Sequence, residues 1–184
     1  MANNISIASP IIGEEEKQAV MDVLDSGYLV QGPRVEGFEK SFADYCDVKH
    51  AIASTNGTTA LTIALMSSGV EAGNEVIIPS FSFVATATSI LSANAVPVFV
   101  DIEPDTFCMN PTLIEAAITE KTKAIMPVHF ACQACEMDEI LEIAKEFNVK
   151  VVEDAAISID VNSDEDVNKA LSSCVGTKFA ARWG

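Results

Sequence analysis

Short apolar runs with no polar alternation recur through the middle of this 184-residue chain. Residues 96–100, for example, read Val-Pro-Val-Phe-Val, and a helical pattern separates each such run from the next. Strands that are apolar on both sides are typical of sheets whose two faces are covered. Repeated strand–helix units of this kind predict a mainly parallel sheet with right-handed crossovers. The fold class indicated is therefore α/β, with helices on both faces of the sheet.

The hydrophobic pattern predicts where the individual elements lie. The clearest helix covers 136–147, because Met137, Ile140, Leu141 and Ala144 follow the i, i+3, i+4, i+7 spacing of one helix face. The remaining predicted helices are 13–26, 35–46, 58–68, 83–93 and 111–118. The predicted strands are 50–54, 75–78, 96–100, 123–127 and 149–153, and a short helix is predicted at 167–174 in the acidic tail.

Charge and composition limit the classes of function. A formal net charge of −16 disfavours nucleic acids and anionic membranes as partners. No apolar run reaches the roughly 18 residues that a membrane span needs, and no secretion signal is recognisable, so we expect a cytoplasmic protein. The five cysteines are expected to be reduced. Cys132 and Cys135 form a single C-x-x-C, which leaves a redox or metal role open, but no second pair completes a zinc site and no metal is predicted.

A glycine turn before the helix at 58–68 is a candidate phosphate site. The stretch 54–61 reads STNGTTAL, so the helix begins with Thr58 and Thr59. Free backbone N–H groups at a helix N-terminus favour a phosphate, and two hydroxyls add donors. The alternative is a simple N-cap, in which Asn56 or Thr58 caps the helix.

Two more candidates lie where later strands end. Phe83 follows the strand at 75–78, where an aromatic side chain could stack on a planar ligand or pack in the core. Asp154 ends the last apolar run, where it could pair with a protonated ring nitrogen, cap a helix or form a structural ion pair. Ala156 is small enough to leave room for a ring. A phosphate cup, an aromatic side chain and an acid at strand ends together describe a pyridoxal 5′-phosphate site.

Several stretches resemble the DegT/DnrJ/StrS family of pyridoxal-phosphate sugar aminotransferases. They are SGYLVQGPRVEGFE at 26–39, TNGTTAL at 55–61, EVIIPSFSFVATA at 75–87, PVFVDI at 97–102, PVH at 127–129 and VEDAA at 152–156. The resemblance covers about residues 5–156. It implies part of the large domain of a type I aminotransferase, with 157–184 as a divergent tail.

The resemblance also implies roles for individual residues. Thr58 and Thr59 would bind the cofactor phosphate, Phe83 would stack on its ring, and Asp154 would pair with the pyridine nitrogen beside Ala156. The family reaction is amino transfer from an amino acid, typically glutamate, to a keto-sugar nucleotide, and family members work as homodimers. This chain is accordingly expected to form a homo-oligomer.

The chain departs from the family pattern at several positions. Ile157 stands where the family has Gln or His, and Cys132-Gln-Ala134 replaces the usual Gly-Gln-Pro. The Schiff-base lysine of the family is not recognisable, and Lys178 is a weak substitute because its surroundings are acidic. The sequence-based expectation is therefore a chain truncated before that lysine and inactive alone. The alternatives are a non-catalytic domain that binds a phosphorylated ligand or a partner and, more weakly, a lysine-free dehydratase.

Overall fold

The computed structural model describes residues 10–158, which fall into two compact units that divide after Ala53. In the first unit, helix α1 (Glu14–Ser26) is followed by helix α2 (Pro33–Tyr45). Three glutamates fill the first turn of α1, where the helix dipole favours negative charge. Gly27 ends α1 with φ +68°, a left-handed conformation that glycine adopts without strain.

The strand predicted over 50–54 is wrong. The structure has no strand there, and the backbone N–H of Ala53 instead donates to Glu39 Oε1 at 2.8 Å. A strand needs a neighbouring strand to pair with its backbone, and among the described residues none pairs with this segment. The short apolar run predicted an extended backbone without supplying a pairing partner.

The second unit contains a four-stranded parallel sheet in the order β2-β1-β3-β4. The strands are β1 (Glu75–Pro79), β2 (Val96–Val100), β3 (Thr122–Ile125) and β4 (Lys150–Val151). A separate parallel bridge between Val128 and Asp154 continues the pairing beyond the ends of β3 and β4. The prediction of a parallel sheet is confirmed.

Helices cover both faces of this sheet. They are α3 (Gly57–Ser67), α4 (Val84–Ser92), α5 (Ile114–Ala117) and α6 (Met137–Glu146), and a 3-10 turn at Pro111–Leu113 leads into α5. One core packs α3 and α4 against Val76 and Ile78 of β1. The other packs α5 and α6 against Ile77, because successive side chains of a strand point to opposite faces.

The remaining predicted elements lie close to those observed. β2 has the predicted bounds, and α6 buries Ile140 and Ala144 on its predicted face. The predicted helix at 111–118 is partly a 3-10 turn, because Pro111 follows an Asn110 side chain that accepts the N–H of Thr112. The helix predicted at 167–174 and Lys178 lie outside the described residues. Within 10–158 no helix is long and apolar enough to cross a membrane.

Candidate functional site

The N-terminus of α3 presents backbone N–H groups that are positioned to bind an anion. Asn56 caps the helix, because its Oδ1 accepts the N–H of Thr59 at 2.9 Å. Within the described residues, the N–H groups of Gly57 and Thr58 have no partner. The predicted N-cap is therefore present, and it leaves two donors available for an anion. The side chains of Thr58 and Thr59 are both half-buried at this end.

The topology brings the first turns of α3 and α4 to the same edge of the sheet. A short turn joins the end of α3 to the start of β1, so α3 runs opposite to the strand and begins near its carboxyl end. Helix α3 and strand β1 are both about 16 Å long, so the start of the helix reaches the carboxyl end of the strand. Helix α4 begins directly after the carboxyl end of β1, and Thr62 Oγ1 of α3 donates to the Ser89 carbonyl of α4 at 3.3 Å.

Phe83 lies on the surface at the start of α4. Its side chain is 78% exposed, so it contributes little to the core. The neighbouring Phe81 packs against the rings of Phe107 and Phe130, with centroids 5.6 and 5.1 Å away. Phe81, itself 47% exposed, therefore packs against neighbouring rings rather than in the core, and the face of Phe83 is free to meet a planar ligand.

Asp154 is buried at the same edge, with 4% of its surface exposed. Its Oδ2 accepts a hydrogen bond from Thr86 Oγ1 at 2.8 Å, and its Oδ1 accepts the N–H of Ala156 at 3.2 Å. Among the described residues it has no ion-pair partner, so the structural salt bridge considered from the sequence is not formed. Because an ionised carboxylate has about four lone-pair sites, Asp154 can accept a further donor.

The surroundings of Asp154 act on its charge in opposite directions. Burial raises the pKa of this carboxyl, whereas the hydrogen bonds from Thr86 and Ala156 and the nearby His129 lower it. Burial is the largest of these effects, so the ionised form is costly unless a cation or a strong donor approaches. A buried carboxylate of this kind favours a positively charged N–H as its partner.

His129 belongs to a second buried network beside Asp154. Its Nδ1 accepts the N–H of Cys135 at 3.2 Å, which leaves the hydrogen on Nε2 to be donated to Glu153 Oε2 at 3.1 Å. The His129 carbonyl accepts the hydroxyl of Ser158 at 2.8 Å, and the His129 N–H donates to the Asp154 carbonyl. This network fixes the backbone on both sides of Asp154.

Sequence reasoning missed two residues of the site. Thr86, on the first turn of α4, is 1% exposed and touches Asp154, while Ser82 Oγ lies 2.7 Å from Thr86 Oγ1. The strand-end position of Ser82 was an available signal. No local pattern connects Thr86 with an acid 68 residues further along the chain.

Two of the departures from the family pattern lie at described positions, Cys132 in a left-handed turn and Ile157 on the surface. Ala131 and Cys132 both adopt left-handed backbone conformations, with φ +48° and +66°. Cys132 stands where the family usually has glycine, the residue that adopts this conformation most easily. Ile157, in place of a polar residue, is 50% exposed.

Comparison with known proteins decides the family. The sequence model of the DegT/DnrJ/EryC1/StrS aminotransferase family matches residues 10–177. The chain belongs to this family. It is 44% identical to GDP-perosamine synthase of Caulobacter vibrioides and 45% identical to spore coat polysaccharide biosynthesis protein SpsC of Bacillus subtilis. These alignments cover 95% and 94% of this chain but 47% and 44% of the relatives, so the chain spans about half their length.

Solved structures share the fold of this chain. NtdA from Bacillus subtilis, with bound PMP, is 36% identical and superimposes with a TM-score of 0.79. That match covers 92% of this chain and 41% of NtdA. The type I aminotransferase fold inferred from the resemblance is thereby confirmed.

Proposed function

We propose that this chain provides the cofactor-binding part of an aminotransferase that moves an amino group from an amino acid to a keto-sugar nucleotide. The observation that carries the proposal is Asp154, a buried carboxylate with open acceptor capacity and no ion-pair partner among the described residues. GDP-perosamine, the product named for one relative, supports a nucleotide-linked sugar as the acceptor. The net charge of −16 argues against nucleic acid.

The residues present fit pyridoxal phosphate. The two unpartnered N–H groups of α3, with the hydroxyls of Thr58 and Thr59, suit a phosphate dianion. Phe83 offers an exposed aromatic face, and Ala156 places no large side chain beside Asp154. When bound, the cofactor would supply an electron sink for a carbanion. Asp154 would accept the ring N–H and hold its proton in place.

The proposal extends to the organisation of the protein. Residues 5–156 would be part of the large domain and 157–184 a divergent tail. The chain would act in the cytoplasm as a homo-oligomer. The apolar stripe of α1 supports self-association, because Val20 and Leu24 are 60% and 53% exposed.

Binding of pyridoxamine 5′-phosphate to the cofactor-free chain, measured by calorimetry, tests this proposal. Asp154→Asn keeps the side-chain shape but removes the charge that pairs with the ring N–H. A hydrogen bond to a charged group contributes about 1.5–3 kcal/mol, so the affinity should fall by roughly 10- to 100-fold. Glu142→Gln on the exposed side of α6 is the matched control and should bind like the wild type. Equal affinity of the Asp154 variant and the wild type would refute the site.

A further inference from the structure

Three polar side chains form a continuous line into the site. Ser82 Oγ lies 2.7 Å from Thr86 Oγ1, which in turn lies 2.8 Å from Asp154 Oδ2. Ser82 is half-buried, whereas Thr86 and Asp154 are 1% and 4% exposed. Among the described residues the Asp154 carboxylate has no ion-pair partner, and its hydrogen-bond donors are the neutral Thr86 hydroxyl and the Ala156 N–H.

The charge of Asp154 fixes the direction of these hydrogen bonds. A threonine hydroxyl has a single hydrogen, and an ionised carboxylate can only accept. When Asp154 is ionised, Thr86 therefore donates to Asp154 and Ser82 donates to Thr86. When Asp154 is protonated, the line can reverse, with Asp154 donating to Thr86 and Thr86 to Ser82. The same geometry can satisfy either state, but only the first leaves the carboxylate charged for a ligand.

We propose that Ser82 and Thr86 are positioning residues that aim the Asp154 carboxylate and maintain its ionised form. The inference rests on the proposed function, in which that carboxylate accepts the N–H of a ring. Thr86 occupies the first turn of the nine-residue helix α4, where the helix dipole also favours a negative charge. Neither hydroxyl would take part in the chemistry, since Thr86 is buried behind Asp154 and already bonded to it.

The electrostatics of the surroundings agree with this role. The bond from Thr86 is the largest influence that lowers the pKa of Asp154 against the effect of burial. The hydrogen bond from the Ala156 N–H and the charge interaction with His129 also lower the pKa of Asp154, but less strongly. Glu153, which precedes Asp154, bonds to His129, and α4 carries no ionisable side chain. Removal of the Thr86 hydroxyl should therefore raise the pKa of Asp154 further.

The test follows the carboxyl carbon of Asp154 by NMR as the pH of the cofactor-free chain is changed. Thr86→Val should shift the titration of Asp154 to higher pH, and Thr86→Ser should restore the wild-type curve. Thr88→Val is the matched control, because Thr88 lies on the same helix and its hydroxyl donates to the Ala85 carbonyl, away from Asp154. An unchanged titration in Thr86→Val would overturn the proposal.

Ser82→Ala keeps the test decisive even where Thr86→Val does not fold. It should shift the titration in the same direction by a smaller amount, and an unchanged curve would overturn the proposal. A second readout is the affinity for pyridoxamine 5′-phosphate across the pH range. The acid side of that profile should move to higher pH in Thr86→Val, whereas a purely structural role would weaken binding equally at every pH.

The two proposals fail in different ways. A wild-type chain that does not bind pyridoxamine 5′-phosphate would refute the proposed function. The titration of Asp154 would still show whether the two hydroxyls support its charge, because that measurement needs no cofactor.

Discussion

Substitutions of Asn56 separate the stability of α3 from its binding of a phosphate. The Asn56 side chain caps α3 through Thr59, next to the two unpartnered N–H groups of Gly57 and Thr58. Asn56→Ala removes the cap but leaves those donors, whereas Asn56→Asp keeps a cap of equal quality and adds a negative charge. Asn56→Ala should therefore lower the stability of the fold, whereas Asn56→Asp should weaken phosphate binding without loss of stability.

The expected changes in Tm and in phosphate affinity follow from the energies of an N-cap and of charge repulsion. Loss of an N-cap costs about 1 kcal/mol, which lowers Tm by about 2–4 °C in a chain of this size. Asn56→Asp should leave Tm unchanged or slightly raised, because the helix dipole stabilises an acid at this end by about 0.3–1 kcal/mol. Two unit charges about 4 Å apart in water repel by about 1 kcal/mol. A phosphate carrying nearly two charges should then bind Asn56→Asp at least about tenfold more weakly.

Thermal unfolding followed by circular dichroism, and calorimetry with pyridoxamine 5′-phosphate and with inorganic phosphate, measure the two effects. Asn110→Asp is the matched control, since Asn110 caps the 3-10 turn before α5 by accepting the N–H of Thr112 at 3.0 Å. That variant should bind both ligands like the wild type. If Asn56→Asp also bound them like the wild type, the reasoning that places the phosphate at α3 would be refuted.

Two further predictions concern stability. Burial raises the pKa of Asp154 above its usual 3.8, so the folded chain binds this proton more tightly than the unfolded chain does. The protonated carboxyl therefore stabilises the fold fully below pH 3.8, and this contribution is lost as the pH rises through the folded-state pKa. Asp154→Asn should therefore have the higher urea midpoint at neutral pH, with a gap that closes near pH 3.8; a gap that widens on acidification would contradict this. Ala131→Gly should raise the urea midpoint slightly, because relief of a left-handed conformation gives about 1–2 kcal/mol and the freer unfolded chain takes back about 0.4–1. Ala87→Gly, inside α4, should instead lower the free energy of unfolding by about 1 kcal/mol and so lower the urea midpoint, and the same loss in Ala131→Gly would refute the strain.

Local patterns in the sequence were enough to predict most of the fold. The spacing around Ile140 and Ala144 predicted α6, because one apolar stripe must face a core. The run at Val96–Val100 predicted β2, since strands buried on both faces need continuous apolar residues. The strand predicted at 50–54 failed because a strand also depends on a neighbour, which a local pattern does not reveal.

The site was predictable only in part for the same reason. Asp154 and the start of α3 were recognisable because each lies where a strand ends or a helix begins. Thr86 was not recognisable, because its partner lies 68 residues away and its own position on α4 looks like ordinary helix. The left-handed backbone at Ala131 was hidden as well, since alanine gives no signal for that conformation.

The strand order β2-β1-β3-β4 has a consequence for how specificity could change in this protein. After β1 the chain winds to one side, through α4 to β2, and then crosses back over β1 to build β3 and β4 on the other side. Such a reversal is a topological switch point, where the connections after two adjacent strands diverge and leave a crevice. The segments after β1 and β3 must border that crevice whatever their sequence. Exposed residues at its rim could therefore be exchanged to admit a different ligand without disturbing either core.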